Sequence, residues 1–236
     1  MRVTVVPYDP TWPERFEVVR AALAEALADV PHLGIEHVGS TSVPGLAAKP
    51  VIDVDVVVAA GHLDAAIEAM AVAGYEHLGD LGVEGRHAFR ASTEDELAAI
   101  TRNVYVCVEG ALSLRNHLAV RDTLRDDPEL REAYAAVKLQ LAGRELGDMG
   151  DYIEGKSEVL QRVLAASGLT EAERDAILTV NRKPASSRQG EGAGSRIGLS
   201  SAIIAPAAAA ASAAADGASA VVSSAMLRSM KPVSTS

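Results

Sequence analysis

Two aspartates stand in an otherwise apolar run, Val51-Ile52-Asp53-Val54-Asp55-Val56. Side chains on a strand alternate between faces, so Asp53 and Asp55 share one face while Ile52, Val54 and Val56 share the other. Carboxylates this close repel each other and resist desolvation, and a divalent cation relieves both problems. An all-oxygen donor set favours Mg²⁺ or Mn²⁺ over zinc. The plainer reading is a pair of exposed aspartates at a strand end. Upstream, Gly39-Ser40-Thr41-Ser42 follows a short β-prone run. Glycine lets backbone approach an anion closely, and successive N–H groups with the Ser40, Thr41 and Ser42 hydroxyls can hold phosphate oxygens. An ordinary turn has the same composition.

The elements that must position these residues follow from periodicity. Val3–Val6 reads as a short strand. Thr11 is placed to N-cap a helix with Pro13 in its first turn and Glu14 three residues on, and Phe16, Val19, Leu23 and Leu27 recur at helical spacing. Strands are expected at Ile35–Val38, Val51–Val58, Tyr75–Leu78, Arg86–Ala91 and Thr101–Val108, with a helix over Leu63–Ala73. Helices are then expected at 112–126, 129–146 and 151–166, separated by Asp127-Pro128 and by Gly147–Gly150. Early alternation followed by late helices predicts an α+β fold with one small mixed sheet and packed helices.

Composition sets limits on partners and on the extent of the fold. Hydrophobic residues make up 48% of the chain and aromatics 3%, so the core must be mainly aliphatic and alanine. Residues 1–168 hold 15 Lys and Arg against 27 Asp and Glu, a net of −12, whereas residues 169–236 hold 7 against 5, a net of +2. An acidic body with no basic cluster predicts no binding of long nucleic acid. A single nucleotide with its own Mg²⁺ stays compatible, because the ion screens the repulsion. The one cysteine, Cys107, lies in an apolar strand and reads as a buried, inert thiol. The N-terminus lacks a charged-then-apolar leader pattern and no run of ~20 strongly apolar residues occurs, so no membrane span and a cytoplasmic location are expected. Beyond Gly168 the sequence turns Ser/Gly/Arg-rich and then Ala/Ser-rich, with too few large apolar residues to offset ordering entropy. Residues 1–168 are therefore expected to form the domain and 169–236 a largely disordered tail, with alanine favouring helix near 207–215.

Gly-Ser, twelve residues, then Asp-x-Asp on an apolar strand resembles the nucleotidyltransferase signature of the DNA polymerase beta superfamily. The chain as a whole resembles the GrpB family, bacterial proteins with a nucleotidyltransferase fold. The resemblance is carried by Pro7-Tyr8-Asp9-Pro10 with Trp12, by Ile35 through Pro50 with Ile52-Asp53, by Asn103-Val104-Tyr105-Val106-Cys107, by Arg121-Asp122 with Leu124-Arg125, and by Tyr152-Ile153-Glu154-Gly155-Lys156. It implies a small mixed sheet of the nucleotidyltransferase type, phosphate held at Gly39 and Ser40, and metal held by Asp53 and Asp55. It further implies a nucleoside triphosphate and an unknown acceptor as partners. Lys49, Arg121 and Lys156 would add positive charge to the triphosphate. For Lys49 the plain alternative is a solvated surface lysine, and for Arg121, Arg125 and Lys156 ion pairs with Asp122, Glu154 and neighbours. His37 is expected to orient the loop. Two departures stand out. The family often has Phe-Arg-Asp-Tyr-Leu-Arg where this chain has Val120-Arg121-Asp122-Thr123-Leu124-Arg125. The superfamily also expects a third carboxylate on a later strand, for which Glu109 is the nearest candidate; its simpler reading is an exposed loop residue. Without a third acid, the alternative to an enzyme is a non-catalytic module that binds a nucleotide or phosphometabolite.

Overall fold

A computed structural model describes residues 2–92 and 97–181 of the 236-residue chain. The elements run in the order α1 (Trp12–Ala26), β1 (Gly34–Val38), a 3₁₀ turn (Ser40–Ser42), β2 (Ile52–Val58), α2 (Leu63–Val72), β3 (Glu76–Gly79), β4 (Arg86–Arg90), β5 (Arg102–Val108), α3 (Leu112–Asp126), α4 (Pro128–Ala142), α5 (Met149–Gly155), α6 (Ser157–Ala166) and α7 (Glu171–Asn181). The strands form one mixed sheet in the order β1-β2-β5-β4-β3. Only the central β2–β5 pair is parallel, as befits the most deeply covered strands of a sheet with helices on both faces. This is the α+β class with a small mixed sheet that the sequence predicts.

The two faces of β2 lead to different chemistry. Ile52, Val54, Val56 and Val58 pack with Val104 and Val106 of β5 under α1 and α2, joining Trp12, Phe16, Val19, Leu23 and Met70 in the main core. On the other face, registry sets Asp53 beside Asn103 and Val38, and Asp55 beside Tyr105 and Glu36. That polar face is roofed by the late helices. The segment between β1 and β2 runs up among them, with Val43 and Leu46 buried against Leu124, Tyr134, Val159 and Val163.

Four local expectations change. Thr11 does not cap α1 with its side chain; instead Asp9 Oδ1 accepts from both Thr11 N and Thr11 Oγ1, an Asx turn that fixes the residue before the helix and ties up the hydroxyl. Val3–Val6 is not a strand of the sheet but contributes a single antiparallel bridge between Val6 and Ala48. The helix expected at 151–166 breaks at Lys156. A Cβ on Gly155 would stand 2.7 Å from Leu141 Cδ2, so α5 lies against α4 there through a bare glycine, and the chain turns before α6 begins. Finally, the segment assigned to the tail begins with an ordered element. Thr170 and Glu173 form a reciprocal cap and α7 buries Ile177 completely among Leu160, Leu164 and Leu169. The helical stretch expected near 207–215 lies outside the described residues.

Candidate functional site

The turn after β1 and the acidic face of β2 touch. Gly39 has φ 70°, a left-handed conformation, and an added Cβ would stand 2.8 Å from Asp53 Cγ and closer still to its Oδ2. The missing side chain thus makes room for the protein's own carboxylate as well as for a bend that other residues resist. Asp53 Oδ1 accepts from Asn103 Nδ2 at 2.6 Å. Burial pushes the Asp53 carboxyl above its usual range, against the Asn103 amide, which holds it down.

Around this contact lies a cavity of about 80 Å³, enough for several water molecules, lined on its polar side by Gly39, Ser40, Thr41, Lys49, Asp53 and Asn103 from the sheet and its loop. The helices add Asn116, His117, Lys138 and Lys156, with Val120, Leu124, Tyr134 and Ile153 as apolar wall. Lys138 and Lys156 are almost wholly buried and Lys49 is half-buried. Lys138 donates to the Ala47 carbonyl at 2.6 Å and Lys156 Nζ sits 4.5 Å from the Tyr152 ring centroid. Among the described residues, no carboxylate is within ion-pair distance of any of the three lysines. Burial lowers all three ammonium groups: Lys49 against the pull of Asp53, Lys138 far down with Lys156 adding repulsion, and Lys156 to about 8 with Lys49 adding repulsion. Three buried cations that share one carboxylate, Asp53, are costly, and an anion entering the cavity would relieve them.

The loop that carries Ser40 is held from every side. Thr41 Oγ1 donates to the Val51 carbonyl and stands 3.1 Å from His37 Nε2, while Ser42 Oγ donates to the Gly39 carbonyl. Arg125 donates to the Ser42 carbonyl from Nε and Nη2. His37 stacks on Phe16 at 4.6 Å between ring centroids, so it orients the turn. The Thr41 and Ser42 hydroxyls are therefore committed to backbone, and the Ser40 side chain bonds with Tyr134.

The cavity gathers Gly39, Ser40, Thr41, Lys49, Asp53 and Lys156 of the residues singled out in the sequence, but not Ser42, Asp55 or Arg121. Asp55 shares the face of Asp53 yet is fully buried under α3, where its Oδ2 lies 2.7 Å from His117 Nδ1. Arg121 is ion-paired with Glu36 and Asp122, and also donates to the His37 carbonyl. Arg125 is anchored on the loop carbonyl rather than aimed at the cavity. Glu109 is exposed at the far end of β5, about 20 Å along the strand from Asn103, and cannot supply a third acid. At the level of Asp53, β5 presents the amide of Asn103 instead. Cys107 is buried and its thiol is pushed well up by burial, as an inert thiol should be.

Lys138, Asn116 and His117 were not singled out by sequence. Lys138 sits in an ordinary amphipathic helix, and only tertiary packing brings it over the Ala47 carbonyl. Asn116 and His117 adjoin the Arg121 block on α3, and the His117 partner is 62 residues away. Among the described residues no group of three or more His, Cys, Asp or Glu side chains is placed to hold a metal ion. Asp53 is the carboxylate that faces the cavity, which fits an ion arriving with a ligand's phosphates rather than one caged by protein.

Comparison with known proteins places these observations in a family. The family described as GrpB protein matches residues 2–166. A UPF0157 protein of Pseudomonas aeruginosa is 36% identical over 189 residues, covering 74% of this chain and 76% of that one. The crystal structure of the conserved protein GrpB from Enterococcus faecalis is similar at TM-score 0.58 and 32% identity, covering 69% of this chain and 98% of that one. A dephospho-CoA kinase of Mycolicibacterium paratuberculosis is 29% identical over 176 residues, which is 65% of this chain and 43% of that protein. No described helix is long and apolar enough to cross a membrane.

Proposed function

For this chain, which belongs to the GrpB family, we propose that the cavity binds the triphosphate of a nucleotide and that the protein transfers the nucleotidyl group to an acceptor. The observation that carries this reading is the convergence of three lysines without ion-pair partners, Lys49, Lys138 and Lys156, on the Gly39-Ser40 turn and on Asp53, a single carboxylate for three cations. A triphosphate supplies the negative charge that Asp53 alone does not. Asp53 would hold the Mg²⁺ that accompanies the nucleotide, and that ion would supply charge neutralisation at the phosphates. The lysines fix the β- and γ-phosphates and stabilise the charge that builds on the leaving group. The fixed turn at Ser40 orients the chain of phosphates. The acceptor's nucleophile then bonds to the α-phosphorus as the bond to the bridging oxygen breaks and pyrophosphate departs.

Incubation with labelled ATP, GTP, CTP or UTP, Mg²⁺ and cell extract is expected to yield a labelled product that disappears with Asp53→Ala. Label transfer that persists in Asp53→Ala would refute the assignment.

A second reading, a binding module without turnover, is favoured by one specific feature. Asn103 stands where β5 could have offered a third carboxylate, and Asp55 is engaged by His117. Calorimetry that finds tight triphosphate binding, with no transfer to any acceptor fraction, would select this reading over the first.

A further inference from the structure

The cavity contains neutral polar groups that a polyanion serves only in part. Asn116 on α3 is fully buried and lines the cavity, and neither its Nδ2 nor its Oδ1 has a hydrogen-bond partner. Tyr152 on α5 is 3% exposed, lines the same cavity, and its hydroxyl is also without a partner. Neighbouring polar groups behave differently: Thr41, Ser42, Asn103 and Lys138 all have their hydrogen bonds within the protein. A buried donor or acceptor left unpaired is costly, and such groups are rare in native interiors. Two of them, from different helices, meeting in one cavity point to something that enters it.

The chemistry of the orphaned atoms narrows what that is. Phosphate oxygens only accept, so they can take a hydrogen bond from Asn116 Nδ2 or from the Tyr152 hydroxyl. They cannot serve Asn116 Oδ1, which needs a donor. A carboxamide is satisfied by a neutral group offering a donor beside an acceptor. The edge of a nucleobase has this form, and asparagine pairs with such an edge through both atoms. A ribose diol offers the same pair. The apolar wall of Val120, Leu124 and Ile153 lowers the local dielectric, where hydrogen bonds discriminate more strongly than in water. Tyr152 also lies under the Lys156 ammonium, linking the neutral groups to the charged ones.

We propose that Asn116, assisted by the Tyr152 hydroxyl, is the specificity residue of this site and reads the neutral part of a nucleotide. This rests on the reading of the lysine cluster as the polyphosphate site. The neutral part is bound through one donor and one acceptor, and the phosphates through charge. The two contributions separate by mutation, because Asn116 and Tyr152 act on one and the lysines on the other.

Calorimetry on the full chain with inorganic tripolyphosphate, the four nucleoside triphosphates and their 2′-deoxy counterparts tests this. The wild type is expected to bind at least one nucleoside triphosphate about tenfold or more tightly than tripolyphosphate. Asn116→Ala and Tyr152→Phe are expected to bring that nucleotide down toward the tripolyphosphate level while tripolyphosphate binding changes by less than about twofold. A preference among bases that Asn116→Ala erases assigns the contact to the base edge. A preference for ribo over deoxy forms that it erases assigns the contact to the diol. Because both variants remove unpaired atoms, the ligand-free Tm is expected to hold or rise. The proposal is overturned if the variants weaken tripolyphosphate and nucleotide equally, if they leave nucleotide binding unchanged, or if they lower the ligand-free Tm by several degrees. Failure of the wild type to bind tripolyphosphate overturns the underlying polyphosphate reading, and this inference with it. Nucleotide binding no tighter than tripolyphosphate binding overturns the inference alone.

Discussion

Gly39 and Lys138 serve the site with opposite consequences for the free protein. Gly39 combines a left-handed backbone with the volume occupied by the Asp53 carboxylate. Gly39→Ala is therefore expected to destabilise the fold by about 2–4 kcal/mol, through strain and displacement of Asp53, which urea unfolding would measure. Lys138 is the reverse case. Its ammonium is buried, faces Lys156 and bonds a single carbonyl. Lys138→Met keeps the stem and removes the charge. The free protein is expected to gain about 1 kcal/mol, the lost bond to Ala47 offsetting part of the benefit. Tripolyphosphate affinity is expected to fall about tenfold or more. A variant that is more stable and still binds normally would show that Lys138 has no part in anion binding.

At the level of elements, the site is made by two short interruptions. The loop from Gly39 to Val51 leaves the sheet, is gripped by Arg125 and by Lys138, and returns as β2 with Asp53 in its second position. The break between α5 and α6 at Lys156 points that lysine into the cavity instead of along a continuous helix. Helix α7 closes the far side of the same layer. Ile177→Ala is expected to cost about 2–4 kcal/mol in the full chain, since it empties a fully enclosed position between α6 and α3. An unchanged denaturation midpoint would mean that α7 is not part of the cooperative unit. The capping pair Thr170 and Glu173, followed by apolar residues at 177, 178 and 180, is a readable start signal for this helix. The polar composition downstream of it masks that signal when the segment is judged as a whole.

For the whole molecule, two buried groups tie stability and binding to pH. Lys156, lowered to about 8, is charged below that pH and neutral above it. Tripolyphosphate affinity is thus expected to be greatest below pH 8 and to decline as pH rises through it, and titrations at pH 7 and 9 would show the loss. His37 is held down to about 4, first by burial and then by Arg125 and Arg121. The unfolded ring, with a pKa near 6.5, takes up a proton before the native one does. Stability therefore falls as pH drops from about 6.5 to 4, on the order of 3 kcal/mol from this group. Urea midpoints that stay flat over this window would contradict the buried, neutral ring.

Strand and helix order, the α+β class and the facing of Asp53 and Asp55 to one side of β2 follow from local periodicity, because alternation along a strand and recurrence along a helix depend on the chain's own geometry. The Gly39-Ser40 turn and its relation to Asp53 were legible for the same reason: both ends of the loop are short and close in sequence. Depth was not legible. Period two says that Asp53 and Asp55 share a face, but only the position of α3 decides that Asp53 meets a cavity while Asp55 meets His117. Nor could sequence rank the basic residues. Arg121 stood out along the chain and Lys138 did not, yet it is packing over distances of 80 residues and more that pairs the first with Glu36 and leaves the second without an ion-pair partner beside the phosphate turn.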